Sequence, residues 1–242
     1  MRALLACLLI FVVAGCAKFP GTGVGANTQV KFSMTVAGKI KPGYIYVVAI
    51  RWAKDPQPFD KDHGPIPVIN SPWGNGVVAG RANLYVKWDA SQSPEYQIIK
   101  FQDPIPDNAF PGAGPYLMQE VPVGEPLNPR EVNENDRTIE FTLDMSQIAE
   151  NAGDIPLLRA LQVNFLTMDR VPHDPDGGSK FWDGLGQNGS VFDVNNFVTI
   201  SLDQNNTYTN DAGLFKDIEP AQADTPDPDL DIKNWSIQVT RP

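Results

Sequence analysis

Two groups of aspartates have the side-chain type and spacing that a calcium ion could use. Carboxylate oxygens at short spacing beside a glycine turn are ligands that calcium prefers, and crowded like charges are costly to hold together without a cation. Aspartate and proline also form turns and keep loops soluble, which is the alternative interpretation. The sequence therefore predicts no resident cofactor, with calcium as an open alternative. The residues concerned are Asp174, Asp176 and Asp183 in one group and Asp224, Asp227, Asp229 and Asp231 in the other.

Two tryptophans, Trp73 and Trp182, lie in loops rich in glycine and asparagine. Flat rings presented on a rigid β scaffold can pack against the C–H faces of sugars, and loops at the end of a scaffold commonly carry function. These two residues are therefore candidate ligand-binding residues for a polysaccharide. The alternative is that each ring closes one end of the hydrophobic core. The remaining tryptophans share strand faces with aliphatic residues and are predicted to be core.

The residues that could support catalysis are few. The two histidines, His63 and His173, lie in separate acidic loops, and no H-E-x-x-H, G-x-S-x-G or phosphate-binding glycine motif is present. A triad assembled from distant positions leaves no local pattern and stays open. Four glutamates considered as acids lie at strand edges or in proline-rich segments, where solvation is the simpler interpretation. We therefore expect no catalytic residue and a protein that is not an enzyme. The four glutamates are Glu95, Glu120, Glu125 and Glu140.

The N-terminus carries a targeting pattern. Arg2 is followed by an apolar run over residues 3–13, which is too short to span a bilayer of about 30 Å but is typical of a secretory signal peptide. The run ends in Val13-Ala14-Gly15-Cys16. This ending resembles the lipobox of bacterial lipoproteins. The alternative is an ordinary secretion signal followed by a chance cysteine.

The lipobox resemblance implies a mature protein that is anchored to a membrane. Residues 1–15 would be removed, and Cys16 would carry a thioether-linked diacylglycerol with a further acyl chain (palmitate) on its nitrogen. Several acyl chains anchor a protein stably where one does not. Cys7 would leave with the signal peptide, so the mature chain would have no free thiol. Ala17 follows the cysteine, a pattern that goes with the outer membrane if the host is diderm.

Residues 17–27 contain several glycines, one proline and no periodicity. We expect residues 16–27 to form the lipidated cysteine and a flexible tether of roughly 18–20 Å.

Composition limits the classes of function. The chain has 242 residues, with 19 Lys and Arg against 29 Asp and Glu, and a formal net charge of −10. A nucleic-acid binder needs a dense basic surface, so no nucleic-acid partner is expected. With 20 glycines and 22 prolines, the sequence is rich in turns, which disfavours a helical bundle.

Hydrophobic patterning predicts an all-β protein with the architecture of an antiparallel β-sandwich. Residues 29–36 alternate between apolar and polar, whereas residues 44–52 are apolar on both faces, as in a central strand. Only residues 146–151 are predicted to be helical, and the long connection 54–76 is expected to contain a strand near 66–69. Further strands are predicted around residues 84–88, 96–101, 139–143, 161–165, 198–202 and 235–239.

The chain also contains a possible internal repeat. Phe32 and Phe141 lie 109 residues apart in similar strands, as do Trp73 and Trp182 in similar loops. We expect two repeated halves, residues 28–130 and 131–242, of immunoglobulin-like character and packed as one unit. Convergent strand patterning is the alternative.

Together these features predict a membrane-anchored, extracytoplasmic lipoprotein of the cell envelope. Its non-catalytic β-sandwich would bind an envelope protein or polysaccharide or act as a structural component. The alternatives are a carbohydrate-binding module and, less favoured, an extracytoplasmic hydrolase.

Overall fold

The computed structural model describes residues 24–25, 27–53, 64–67, 76–102, 119–171, 180–185, 197–210 and 225–242. These ranges contain strands joined by turns, one short α-helix, α1 (Met145–Ile148), and a 3-10 helix (Ala152–Leu157). The strands are β1 (Gln29–Val36), β2 (Ile45–Ala53), β3 (Pro65–Pro67), β4 (Val78–Gly80), β5 (Leu84–Trp88), β6 (Tyr96–Gln102), β7 (Gln119–Gly124), β8 (Thr138–Asp144), β9 (Ala160–Met168), β10 (Trp182–Gly184), β11 (Val198–Ser201), β12 (Asn206–Thr209) and β13 (Ile232–Thr240).

The strands form two main antiparallel sheets and one small hairpin. The four-stranded sheet has the order β12-β13-β1-β8, and the seven-stranded sheet has the order β10-β9-β2-β5-β6-β7, with β11 also paired to β9. Strands β3 and β4 pair only with each other. The two main sheets pack face to face, so the predicted all-β antiparallel sandwich is confirmed.

The main core fills the space between the two sheets. On β1, Val30, Phe32 and Met34 are buried while Gln29 and Lys31 face solvent, as the alternating pattern predicts. Aromatic rings bridge strands and sheets. The Phe32 and Phe141 ring centroids are 5.4 Å apart, and Phe165 of the seven-stranded sheet stacks on Trp235 of the four-stranded sheet at 5.7 Å.

A second core covers the outer face of the seven-stranded sheet. We call this outer face the covered face. Val47 and Ala49 of β2 and Leu166 and Met168 of β9 are buried there, together with Val78 of the β3–β4 hairpin. All nine residues of β9 are buried, which explains why β2 and β9 are rich in apolar residues on both faces.

Polar and backbone groups decide where the short elements begin and end. Asp144 accepts hydrogen bonds from the backbone N–H groups of Ser146 and Gln147, and the Asp144 N–H donates to the side-chain oxygen of Gln147, so α1 starts with a capping box. The helix predicted over 146–151 is therefore a single turn that ends at Ile148.

Gly80 has a φ of +69°, and a Cβ there would collide with the Gly64 carbonyl oxygen. Only glycine fits that hairpin end.

Both predicted halves contribute strands to both main sheets. Strand β1 pairs with β8, with Phe32 directly opposite Phe141, and β2 pairs with β9 along its full length. This register is the one that a duplication with two-fold symmetry would produce. The repeat and the immunoglobulin-like character stay predictions.

The fold begins before β1. Val24 is only 2% exposed and belongs to the main core, and the Thr28 N–H donates to the Gly25 carbonyl oxygen at 3.0 Å. Within the segment 17–27, predicted to be a tether, Val24 is therefore part of the core. Cys16 and residues 17–23 lie outside the described residues.

Candidate functional site

Two polar side chains lie in the middle of the covered face, on the central strand β9. Gln162 and Asn164 are fully buried. The Asn164 amide donates to the Pro65 carbonyl oxygen at 3.0 Å and accepts from the Leu185 N–H at 3.2 Å. One side chain thus holds both β3 and the segment that follows β10 against the sheet.

Gln162 lies opposite Arg51 of the neighbouring strand. The Arg51 guanidinium donates to Gln162 Oε1 at 3.2 Å, whereas Gln162 Nε2 has no hydrogen-bond partner among the described residues. A buried amide N–H without an acceptor is costly, so this position is suited to a bound water or a carbonyl oxygen.

Among the described ionisable side chains of the covered face, Lys180 is the lysine whose pKa burial lowers strongly. Its side chain is buried, and its amine donates to the Gly76 carbonyl oxygen at 2.7 Å and lies 3.6 Å from Met168 Sδ. Burial lowers the pKa of Lys180 from its ordinary 10.5 to about 7, although Asp169 acts in the opposite direction. The residue links the start of one covering segment, Gly76, to the start of another, residue 180.

Trp182 lies on β10, opposite Met168, and is half-buried against the covered-face core. Its neighbour Phe181 is 56% exposed, and the Phe181 backbone is fixed by hydrogen bonds to Asp169. Part of the Trp182 ring and most of the Phe181 ring are therefore exposed beside this strand pair.

Trp73 lies outside the described residues, but both ends of its segment are described. Pro67 is adjacent to Gly184, because a Cβ at Gly184 would lie 3.6 Å from Pro67 Cγ. Gly76 is hydrogen-bonded to Lys180. The segment 68–75 thus starts and ends beside the segment that carries Trp182, so the chain brings together the bases of the two predicted aromatic loops.

Asp183, predicted as a calcium ligand, joins the two sheets. It is buried, and it accepts from the Gly184 N–H at 2.8 Å and from the Ile232 N–H of β13 at 2.7 Å. On the adjacent strand, the Thr167 hydroxyl donates to the Leu230 carbonyl oxygen at 2.6 Å. Asp174 and Asp176 lie outside the described residues.

Asp227 and Asp229 anchor the loop before β13 to the turn between β1 and β2. Asp227 accepts from the Tyr44 hydroxyl at 2.6 Å and from the Asp229 N–H at 3.0 Å, while Asp229 accepts from the Lys39 N–H at 2.8 Å. Partial burial raises the pKa of Asp227, but the Tyr44 and backbone hydrogen bonds outweigh it, and the net shift is downward.

The remaining acids of the second predicted calcium group do not complete a cluster within the described residues. Asp231 is paired with Lys233 at 3.1 Å, and Asp224 lies outside the described ranges. No group of three or more His, Cys, Asp or Glu residues that could hold a metal occurs in the described part of the chain. The calcium site stays a prediction.

His63 and His173 both lie outside the described residues, but the strands before them are described. Strand β2 ends at Ala53 and β9 ends at Met168, and the two strands are antiparallel. The loops that follow them therefore leave opposite ends of a nine-residue strand pair, roughly 27 Å apart.

The glutamates considered as catalytic acids have structural neighbours instead. Glu125 is exposed after β7, and its carbonyl oxygen accepts from the Gln147 amide at 2.8 Å. The other three interact through their carboxylates: Glu95 with Trp88 Nε1 at 3.3 Å, Glu120 with the Tyr85 hydroxyl at 2.9 Å and Glu140 with Lys31 Nζ at 2.8 Å.

Comparison with known proteins adds no family. The chain has no significant match among protein-family models, curated proteins or solved structures. Among the residues that the structure describes, no helix combines the length and the apolar composition that crossing a bilayer requires.

Sequence reasoning did not select the polar groups of the covered face. Gln162 and Asn164 alternate with apolar residues in β9, a pattern that is typical of a strand with one solvent-exposed face. Their burial depends on segments that are distant in sequence, such as Pro65 and Leu185. Nothing in the local sequence around Lys180 marks it as buried.

The buried Lys180 amine predicts a pH-dependent stability. Its pKa is lower in the folded chain than in the unfolded chain, so the unfolded chain binds more protons between pH 7 and pH 10.5 and stability rises with pH in that window. Relative to Lys180→Met, the wild type should therefore gain on the order of 3 kcal/mol in free energy of unfolding from pH 7 to pH 10. Urea unfolding at both pH values measures this difference.

The control is Lys31→Met, since Lys31 is 45% exposed. This variant should follow the wild type at both pH values. Parallel pH profiles for wild type and Lys180→Met would contradict the buried position of the amine.

The calcium prediction has a direct thermal test. If the acidic groups bind calcium, the melting temperature in millimolar Ca²⁺ should exceed that in EDTA, because a ligand that binds only the folded state stabilises it. Asp174→Asn combined with Asp176→Asn should remove the difference. Superimposable melting curves in Ca²⁺ and EDTA would eliminate the site.

Proposed function

We propose that the protein is a lipid-anchored lipoprotein of the cell envelope whose non-catalytic β-sandwich binds an extracytoplasmic partner. The observation that carries this proposal is the apolar run followed by Val13-Ala14-Gly15-Cys16. The position of Val24 in the main core supports it, because the folded domain then begins only eight residues after the cysteine. An outer-membrane position is proposed for a diderm host.

The arrangement of the sandwich suits a binding role. Asn164 and Lys180 hold the covering segments to the sheet through hydrogen bonds to the Pro65 and Gly76 carbonyl oxygens. Rigid positioning of loop bases reduces the conformational entropy that binding must overcome. The segments between these points are accordingly the proposed partner-binding loops.

A polysaccharide is the second candidate partner, and one contact favours it. The hydrogen bond from Lys180 to Gly76 brings the base of the Trp73 segment beside the Trp182 segment. Trp182 and Phe181 offer ring surface next to that base. An exposed aromatic ring can stack on a sugar ring, which makes a carbohydrate-binding module the proposed alternative.

The anchor is tested by comparing the two cysteines. Cys16→Ser should remove lipidation and abolish the membrane association of the mature protein, whereas Cys7→Ser should leave it unchanged, because Cys7 belongs to the predicted signal peptide. Intact-mass analysis of the natural protein should show three acyl chains on a chain that begins at Cys16. An unmodified thiol at Cys16 in the wild type would overturn the proposal.

The carbohydrate alternative is tested at Trp182. Retention on insoluble envelope polysaccharide should fall at least tenfold in Trp182→Ala and in the double variant with Trp73→Ala. Because Trp182 packs against the covered-face core, Trp182→Ala should also lose about 1–3 kcal/mol of stability.

Ile99→Ala is the matched control, since Ile99 is buried in the same core but lies on β6, away from Trp182. It should lose comparable stability and keep full retention. Unchanged retention in a folded Trp182→Ala protein would count against a sugar-binding role.

A further inference from the structure

The start of β1 divides the sandwich into two distinct ends. At the end we call the tether end, Gln29 pairs with Thr240 on one side and with Asp144 on the other. The opposite end, which we call the distal end, contains the turn after Val36. Val24 lies just before β1 and is packed into the main core. The chain from Cys16 therefore enters the fold at the tether end.

The distal end carries the aromatic and charged groups described above. Strand β2 starts there at Ile45, which pairs with Met168, and Met168 pairs in turn with Trp182. The Tyr44–Asp227 hydrogen bond lies at the same end. The eight residues of β1 separate the two ends by about 25 Å.

The chain between the anchor and the fold is short. Eight peptide steps lead from Cys16 to Val24, and a fully extended chain covers at most about 3.3–3.6 Å per step. The entry point of the fold is therefore held within roughly 28 Å of the lipidated sulfur, whatever the conformation of residues 17–23.

Charge acts against broad contact between the domain and a membrane. The chain has 29 acidic residues and a formal charge of −10, and an anionic lipid surface repels acidic groups within about one Debye length. A tethered acidic body minimises this repulsion by approaching the lipids through the smallest surface that the tether allows.

We propose that the sandwich is presented end-on, with its tether end facing the lipid headgroups and its distal end directed away from the membrane toward the partner. This inference rests on the proposed lipid anchor. It places Phe181, Trp182 and Tyr44, which lie at the distal end, on the side of the domain that faces away from the lipids. It also excludes the partner from the tether end.

Single cysteines allow the orientation to be measured on the complete lipidated protein. Gln29→Cys labels the tether end and Lys39→Cys the distal end, and both native side chains are exposed. Each variant is spin-labelled and reconstituted into phosphatidylcholine vesicles with one third phosphatidylglycerol and a small fraction of nickel-chelating headgroups. Nickel-induced relaxation of the label falls steeply with distance from the surface. We expect relaxation at position 29 to exceed that at position 39 at least threefold.

The outcomes separate the orientation from the anchor. Equal relaxation at the two positions, or stronger relaxation at position 39, overturns end-on presentation. A 30-residue Gly/Ser insertion between Gly23 and Val24 should reduce relaxation at position 29 to the level of position 39. An unchanged value would show that the domain adheres to lipid by itself and would also overturn the inference. Intact mass of the same samples reports lipidation at Cys16, so loss of the anchor is recognised independently.

Discussion

The pairing of β2 with β9 is the constraint on which the rest of the structure depends. Nine residues of each strand pair in register, and every residue of β9 is buried. A strand pair with apolar side chains on both faces must be covered on both, because each exposed leucine or methionine would forgo about 1.5–3 kcal/mol of burial. The four-stranded sheet covers one face. The β3–β4 hairpin and the segment around β10 cover the other.

The second covering layer explains the unusual polar groups of this protein. Short strands such as β3 and β10 have little intrinsic stability, so side chains from the sheet and its neighbours must hold them in place. Asn164 does this with both ends of its amide, without charge. Lys180 does it with an amine whose burial carries a free-energy penalty, visible in its lowered pKa. Such a penalty indicates that the joined segments need a fixed relative position.

The sequence was sufficient to predict the strands in which apolar and polar residues follow a clear pattern. The alternation of β1 and the two-sided apolar run of β2 correctly identify a strand with one solvent-facing side and a strand buried on both sides, and the strand expected near residues 66–69 is β3. Strands β7, β10 and β12 could not be predicted, since three to six residues at a sheet edge or beside a turn lack a recognisable period. Their pairing is decided by tertiary context.

The candidate site was less accessible to sequence reasoning for the same physical reason. Asp183 was selected because aspartates near glycine can bind calcium, but its carboxylate accepts the Ile232 N–H from the other sheet. Acidic residues in turns satisfy backbone N–H groups as readily as they bind cations, and only the fold distinguishes the two uses. Trp182 was selected as a candidate sugar-binding ring, with closure of the core as the alternative, and it is half-buried against the core that contains Met168.

The acidic composition and the proximity of anchor and fold work together in the proposed protein. With a lipid on Cys16, the seven residues between Cys16 and Val24 would keep the domain in the interfacial region, where its net negative charge would oppose adsorption to anionic lipid. A long tether would let the domain sample many orientations, and a basic domain would lie on the membrane. A short connection on an acidic sandwich instead leaves one end free. Binding groups at the distal end then do not have to dissociate from lipid before they contact the partner. The orientation therefore removes lipid adsorption as an equilibrium that competes with partner binding.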